Sequence, residues 1–276
     1  MAQNGILSSG ATSTGANVLA PTMLYDTLQS AVQARLVWRN LAAMIIPPAE
    51  IPGPAVAISL QDVDSITVHK VAEGAEIPFD AESYTKRTLT PAKYGVNVGI
   101  TREMIEDAQF SVVSLNMQTA GYALAKNEDT LAETELSTYA GQSVSLTGGV
   151  LTYSDIIEGV KDIESNYFRP ITIVVSVTHA EDIRNIDTFV EANKAGITDP
   201  SKRLIGTIFG MKVVVSDNLT DDTSYIVDPD KAFAIGDKRA VTMEGFDDYA
   251  RDMHHIVATQ RVGVTYLFAN AICKLS

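Results

Sequence analysis

The chain has one cysteine, Cys273, in 276 residues. That scarcity excludes an intramolecular disulfide, leaves no cysteine cluster for zinc, and implies a reducing cytoplasm. Bases are scarce too, with 21 Lys and Arg against 34 Asp and Glu, for a formal charge of -13. Sequence-independent binding to nucleic acid through phosphate neutralisation is therefore disfavoured over most of the surface, and any such contact has to be local. No apolar run approaches the roughly 18 to 20 residues of a membrane span, and the N-terminus lacks a basic region followed by an apolar stretch. The expectation is a soluble protein with no membrane partner and no visible secretion signal.

Catalytic signatures are missing as well. No HExxH, Walker A loop, GxGxxG or GxSxG occurs. His254 and His255 are adjacent, and neighbours on a strand face opposite ways, so they cannot both reach one metal. His69 and His179 stand singly, where a solvated or hydrogen-bonded ring is the default. Asp62 with Asp64 and Asp221 with Asp222 lie in turn-like contexts, where Asp serves its own backbone. Cys273, in AICKL, reads as a small buried hydrophobe rather than a nucleophile. The sequence thus offers no catalytic residue, no cofactor site and no metal site, and an enzyme is not expected. The rival of that class is an acidic hydrolase with an Asp dyad and His254 or His255.

What is present is a core. Hydrophobic residues make up 46% of the chain, enough for one large domain or two small ones. Residues 1–20 are rich in Gly, Ser, Thr and Ala and read as a flexible arm. Leu24, Leu28, Val32 and then Leu36 suggest a short amphipathic helix within Pro21 to Leu41. Pro47, Pro48, Pro52 and a Gly-Pro then send the chain into extended structure, with strands expected at Ala55 to Leu60 and Ser65 to Val71. Arg102 to Asp107 reads as a helical turn. Ser111 is a candidate N-cap for a long strut helix to about Leu136, striped with Val113, Met117, Ala120, Leu124 and Leu131.

A new unit follows the Ser/Gly-rich break at residues 141–149. Thr152 and Asp155 have capping-box spacing ahead of Ile156, Ile157, Val160 and Ile163 on one helical face. Ile171 to Val177 is an apolar strand, Thr178 with Glu181 is expected to cap a helix through Ile186 and Phe189, and Lys212 to Ser216 is the next strand. Ala232 to Ile235, Ala240 to Met243, His255 to Thr259 and Val262 to Phe268 read as further strands that rejoin the strut helix. The fold class is α+β.

One stretch fits no core. Glu73 to Thr101 reads EGAEIPFDAESYTKRTLTPAKYGVNVGIT, with strand-like ends at Ser83 to Thr90 and Val96 to Thr101 and a middle of Gly, Pro and charge. Glu73, Glu76, Asp80 and Glu82 come without a base among them, and Lys86, Arg87 and Lys93 follow without an acid. Such a segment is either disordered or pinned by a partner.

The order of arm, two-stranded excursion, strut helix, α+β unit and returning strands resembles the major capsid proteins of tailed bacteriophages, the HK97-like family. Residues 71–108, VAEGAEIPFDAESYTKRTLTPAKYGVNVGITREMIEDA, are similar to that family's second extended-loop limb running into its spine helix. LIGTIFGMKVVVSDNL, residues 204–219, resembles the axial-domain loop and strand. KAFAIGDKRAVTMEGF, residues 231–246, with ATQRVGVTYLFANAICKLS, residues 258–276, resembles the closing strands. The resemblance covers about residues 20–276.

It implies an N-terminal arm at 1–45, an extended loop at about 46–100, a peripheral domain with the spine helix at 101–150 and 231–276, and an axial domain at 151–230. It also implies hexamers and pentamers tiling an icosahedral shell around double-stranded DNA held without sequence-specific binding, with assembly in the host cytoplasm. Partners on this reading are further copies of the chain, a separate scaffolding protein, a portal protein and a decoration protein. A separate scaffold is expected because only about 20 flexible residues precede the first helix. Glu73, Glu76, Asp80, Glu82, Lys86, Arg87 and Lys93 become candidates for contacts between subunits, with the acidic and basic limbs meeting opposite charges across subunit boundaries. The alternative is an encapsulin-type nanocompartment shell enclosing a cargo enzyme, against which the Gly/Ser-rich arm argues.

Overall fold

The striped sequence after residue 111 folds as one long helix because its apolar positions recur at helical spacing and meet a sheet. The computed structural model describes Leu28 and residues 36–61, 66–107, 112–186 and 204–276. A short helix, α1 (Arg102–Asp107), precedes the strut, α2 (Val112–Tyr139). Its 28 residues extend about 42 Å at 1.5 Å per residue. The expected turn at Asp62 and Asp64 and the expected cap at Ser111, together with Leu24, Val32, Ser65 and Phe189, lie outside the described residues.

The described residues fall into two compact units, one drawn from 1–40, 92–130 and 239–262 and the other from 41–91, 131–238 and 263–276. In the first, β4 (Ala92–Thr101) pairs antiparallel with β11 (Met253–Tyr266), and β11 neighbours β10 (Phe233–Asp248). Met117, Ala120, Leu124 and Ala125 of α2 pack with Ile256 and Ala258 of β11, with Leu28 and Leu36 in the same cluster. The returning strands thus do rejoin the strut helix. They come as two long strands rather than the four short ones that the hydrophobic breaks suggest, because the β4–β11 ladder runs without interruption from Met253 to Val262 through Gln260 and Arg261.

The expected helix into Leu41 stops early. Residues 36 and 37 are not helical, and Trp38–Leu41 is a 3-10 turn. Asp129 of α2 explains this, since its buried carboxylate accepts from the amides of Val37 and Trp38 at 3.2 to 3.3 Å. Glu128 beside it takes Arg39 Nε at 2.7 Å.

In the second unit a six-stranded sheet has the order β5-β12-β9-β6-β8-β7. These strands are Gln142–Val144, Ile272–Leu275, Ser224–Val227, Thr172–Val175, Met211–Val215 and Leu204–Ile208. Every residue of β6 and β9 is buried, as expected of strands covered on both faces. Helices α3 (Tyr153–Glu164) and α4 (Val177–Asn185) accompany the sheet. Asp155 accepts from Thr152 N at 3.0 Å, the acidic half of the expected capping box. Ile156, Gly159 and Ile163 are buried, whereas Ile157, about 100° round the helix from Ile156, is exposed.

The cap of α4 is not Thr178 but Ser176, whose Oγ accepts from His179 N at 3.2 Å. The strand before it ends at Val175, so the chain turns two residues sooner than the apolar run suggests. β1 (Met44–Ile46) pairs in parallel with the start of β10.

Candidate assembly surface

Two strands carry the coreless stretch. β2 (Val56–Gln61) and β3 (Tyr84–Leu89) pair antiparallel from Val56 with Leu89 to Gln61 with Tyr84. Their root is anchored. Leu89 and Ile51 are fully buried with Ile46, and Val56 and Ile58 pack on them. Gly236 gives Leu89 room, since a Cβ there would come within 2.6 Å of Leu89 Cδ2. Lys238 Nζ donates to the Ile51 carbonyl.

Beyond residue 61 the ladder ends. Residues 66–83 form no strand, which corrects the expected strand through Val71. The period-2 pattern there has no neighbour to pair with, and an unpaired apolar ribbon has nothing to bury against. Val68 is 95% exposed, Phe79 91% and Ile77 75%. Asp80 ties the two limbs together. Asp80 accepts from Thr67 N at 3.0 Å and from His69 Nε2 at 3.0 Å. The His69 hydrogen bond, then the Thr67 amide, hold the Asp80 carboxyl below its ordinary range.

The seven charged residues singled out from the sequence divide by surroundings. Glu73 and Glu76 are exposed at the turn, Gly74 there having φ of 78°. Glu82 accepts from Tyr84 Oη at 2.5 Å, which pushes the Tyr84 phenol up. Lys86 is exposed on β3 opposite Ser59. Arg87 turns inward, its guanidinium 4.2 Å from the Tyr266 ring centroid and its Nε 3.4 Å from the Leu267 carbonyl. Tyr266 in turn stacks on Tyr139 at 4.2 Å, and Glu135 accepts from Tyr266 N. Lys93 lies on β4, opposite Arg261.

The model of the phage capsid family matches residues 15–276. The chain belongs to the phage capsid family. Its fold is HK97-like: a Mycobacterium phage Che8 structure aligns with a TM-score of 0.70 at 19% identity, covering 88% of this chain and 91% of that one. The mature capsid of bacteriophage PhiM1 aligns at 0.68 and 11% identity, over 88% and 87%. A virus-like particle from Pyrococcus furiosus aligns at 0.64 and 14%, over 92% and 98%. Among curated proteins no relative matches. The family is one of structural shell proteins.

In this capsid protein the histidines have partners within the chain. His254 Nδ1 lies 2.6 Å from Asp247, a hydrogen bond that holds the Asp247 carboxyl low, and His255 Nδ1 lies 3.2 Å from Asn97 with its ring stacked on Phe246. His179 is buried, with Nδ1 2.7 Å from Ser224 Oγ and Nε2 3.3 Å from the Gly149 carbonyl. That second distance assigns the proton to Nε2, since a carbonyl only accepts. Cys273 is buried in β12, and burial pushes its thiol up to about 12. Among the described residues no helix is long and apolar enough to cross a membrane.

Sequence reasoning missed Tyr266 and Tyr139, which hold Arg87, because 179 and 52 positions separate them from it and a ring carries no charge signal. The His69–Asp80 tie was legible in principle, as opposite groups eleven positions apart across a turn.

Proposed function

We propose that the chain is the major subunit of an icosahedral virion shell, assembling as hexamers and pentamers around double-stranded DNA. The observation that carries this reading is the segment 66–83, whose Val68, Ile77 and Phe79 are bare in a chain whose family is that of phage capsids. Bare apolar side chains on an extended ribbon mark an interaction site rather than a core. The partner that fits is a neighbouring subunit. On this reading residues 1–45 are the arm, 46–100 the extended loop, 101–150 with 231–276 the peripheral domain, and 151–230 the axial domain. A separate scaffolding protein, a portal and a decoration protein complete the particle, which forms in the host cytoplasm.

Glu73, Glu76, Glu82 and Lys86 are the residues proposed to meet opposite charges on the neighbour. Arg87 serves a different end, since its stack on Tyr266 fixes the root of the loop. Reversal of Lys86 alone is therefore the cleaner probe of the contact. Lys86→Glu should leave circular dichroism of the subunit unchanged and lower the yield of closed particles, measured by sedimentation. Normal particle yield would remove Lys86 from the interface.

Electron microscopy and light scattering on the purified chain test the reading itself. Closed, uniform shells support it. A monodisperse monomer that persists through added salt, crowding agent and candidate scaffold overturns it. The similarity to a virus-like particle over 98% of that chain favours one second reading, an encapsulin-type shell enclosing a cargo enzyme. The contents of the shells, nucleic acid or a single folded protein, separate the two.

A further inference from the structure

The second unit carries an open cleft of about 380 Å³ between the root of the β2–β3 ribbon, the turn after α3 and the turn after β11, and all its lining residues belong to that unit. Leu60, Leu267, Phe168 and Phe268 give it apolar walls, the two rings standing 5.6 Å apart. Leu267 is buried, whereas Gln61 and Asn270 are exposed, so the side-chain amides sit toward the mouth. Among the described residues that line it, Arg87 alone is charged. Tyr266 covers one face of its guanidinium at 4.2 Å, and Nε is directed to the Leu267 carbonyl at 3.4 Å. Among the described residues Arg87 forms no ion pair. Its two Nη donors therefore remain for a group that enters the cleft, and a guanidinium edge matches the two oxygens of a carboxylate.

Tyr167 supplies a further wall, and its backbone makes the choice of residue informative. Phe168 N donates to the Ile163 carbonyl at 3.3 Å and Tyr167 N to the Glu164 carbonyl at 3.0 Å, the two bonds of a Schellman turn at the end of α3. Tyr167 takes the left-handed position of that turn, with φ of 65°. Glycine most often fills that position, because it has no Cβ to crowd the carbonyl. The turn thus favours glycine, while the tyrosine side chain is 80% exposed and lines the cleft. The ring serves the cleft rather than the turn.

We propose that the cleft binds the C-terminal residues of an extended peptide from a partner protein, with the terminal carboxylate on Arg87 and an apolar last side chain against Phe168, Phe268 and Tyr167. A chain terminus carries a carboxylate and a side chain on one carbon, which matches a cation set beside apolar walls. The amides of Gln61 and Asn270 can both donate to and accept from the peptide's backbone. The volume lies at the low end of the range for ligand clefts, about 300 to 1,000 Å³, which suits a few extended residues and not a helix about 10 Å across. Single-stranded nucleic acid is the other class that pairs a negative group with a ring. It is held by a groove of cations that tracks the backbone, and here one cation stands on a body of charge -13, so the observations favour the peptide.

The site lies within one subunit, so its test uses the purified full chain and is independent of the shell reading. The probe is Gly-Ala-Phe with an N-terminal dansyl group and a free carboxylate, and the control is the same peptide ending in a carboxamide. Fluorescence anisotropy should show saturable binding of the acid, with the amide about tenfold weaker, since hydrogen bonds to a charged acceptor exceed those to a neutral one. Hydrogen exchange at saturation should slow at residues 60–61, 85–87, 165–168 and 267–270. Arg87→Lys keeps the charge and loses the fork, and should weaken the acid about tenfold while leaving the amide unchanged. Tyr167→Gly should raise the urea midpoint and yet weaken the peptide severalfold, a pair of opposite changes that a merely structural tyrosine does not give.

Absence of saturable binding, equal binding of acid and amide, or protection confined to other parts of the chain would overturn the site. Affinity unchanged in both Arg87→Lys and Tyr167→Gly would do the same. 3-Phenylpropionate binding as tightly as the tripeptide would assign the cleft to small organic acids, and displacement of the tripeptide by an oligothymidylate would assign it to nucleic acid. Either result overturns the peptide site and leaves the shell reading standing.

Discussion

Val174 and Phe233 are wholly buried, whereas Val68 and Phe79 are almost wholly bare. The residue types are the same, and both stretches read as strands from the sequence. The difference lies in what the chain can bring alongside. β6 finds β9 on one side and β8 on the other, so its apolar side chains leave water within the subunit. Among the described residues, 66–83 pair with no strand, and Val68, Ile77 and Phe79 stay exposed. Hydrophobicity alone therefore does not tell a core strand from an exposed ribbon; the availability of neighbours does.

That contrast can be broken from the core side first. Ile226 on β9 is buried in the cluster of the second unit, so Ile226→Ala should cost about 2 to 5 kcal/mol, read as a lower urea midpoint at unchanged slope. A cost under about 1 kcal/mol would mean that the site collapses readily and that the sheet is looser than its burial implies. A smaller effect is expected where the two regions meet in kind, at a half-buried charge. Burial raises the Glu135 carboxyl, partly offset by the Tyr266 amide it accepts from.

A carboxyl raised in the folded state binds more protons folded than unfolded, so stability falls as pH rises from its unfolded value through its folded one. Glu135→Gln should remove that penalty. The variant should melt slightly higher than the wild type at about pH 7, by under about 1 kcal/mol since the group is only half-buried, with the gap closing as pH drops into the ordinary carboxylate range near 4.3. A gap that widens on acidification would show the sign to be wrong. The smallest effect on the subunit belongs to the ribbon. Phe79→Ala should leave the urea midpoint within about 0.5 kcal/mol of the wild type, yet lower the yield of assembled particles. A destabilised subunit would place Phe79 in an intrachain core after all.

Much of this was legible beforehand where periodicity and packing agree. The strut helix follows from Val113, Met117, Ala120 and Leu124, and β6 and β8 from their unbroken apolar runs. Strand ends and caps were less legible, because they depend on partners distant in sequence. Asp129 takes the amides that would have extended the first helix, and nothing near Trp38 in sequence announces a carboxylate 91 positions away. β1, β5 and β12 are three or four residues long, too short for alternation to register, and exist because strands distant in sequence pair with them. The charge pattern of the extended segment was plain from the sequence, whereas the inward turn of Arg87 was not, since a cation beside an aromatic ring looks on paper like any other surface base.

The chain's one tryptophan and one cysteine fall in different units, Trp38 in the first and Cys273 in the second, and both are sealed from solvent. The protein thereby carries two native reporters. Indole fluorescence registers release of the strap held by Asp129, and the rate of thiol alkylation registers opening of the sheet that contains β12. Followed together through denaturant, the pair distinguishes a subunit that unfolds in one step from one whose two halves let go separately, with no label to be introduced.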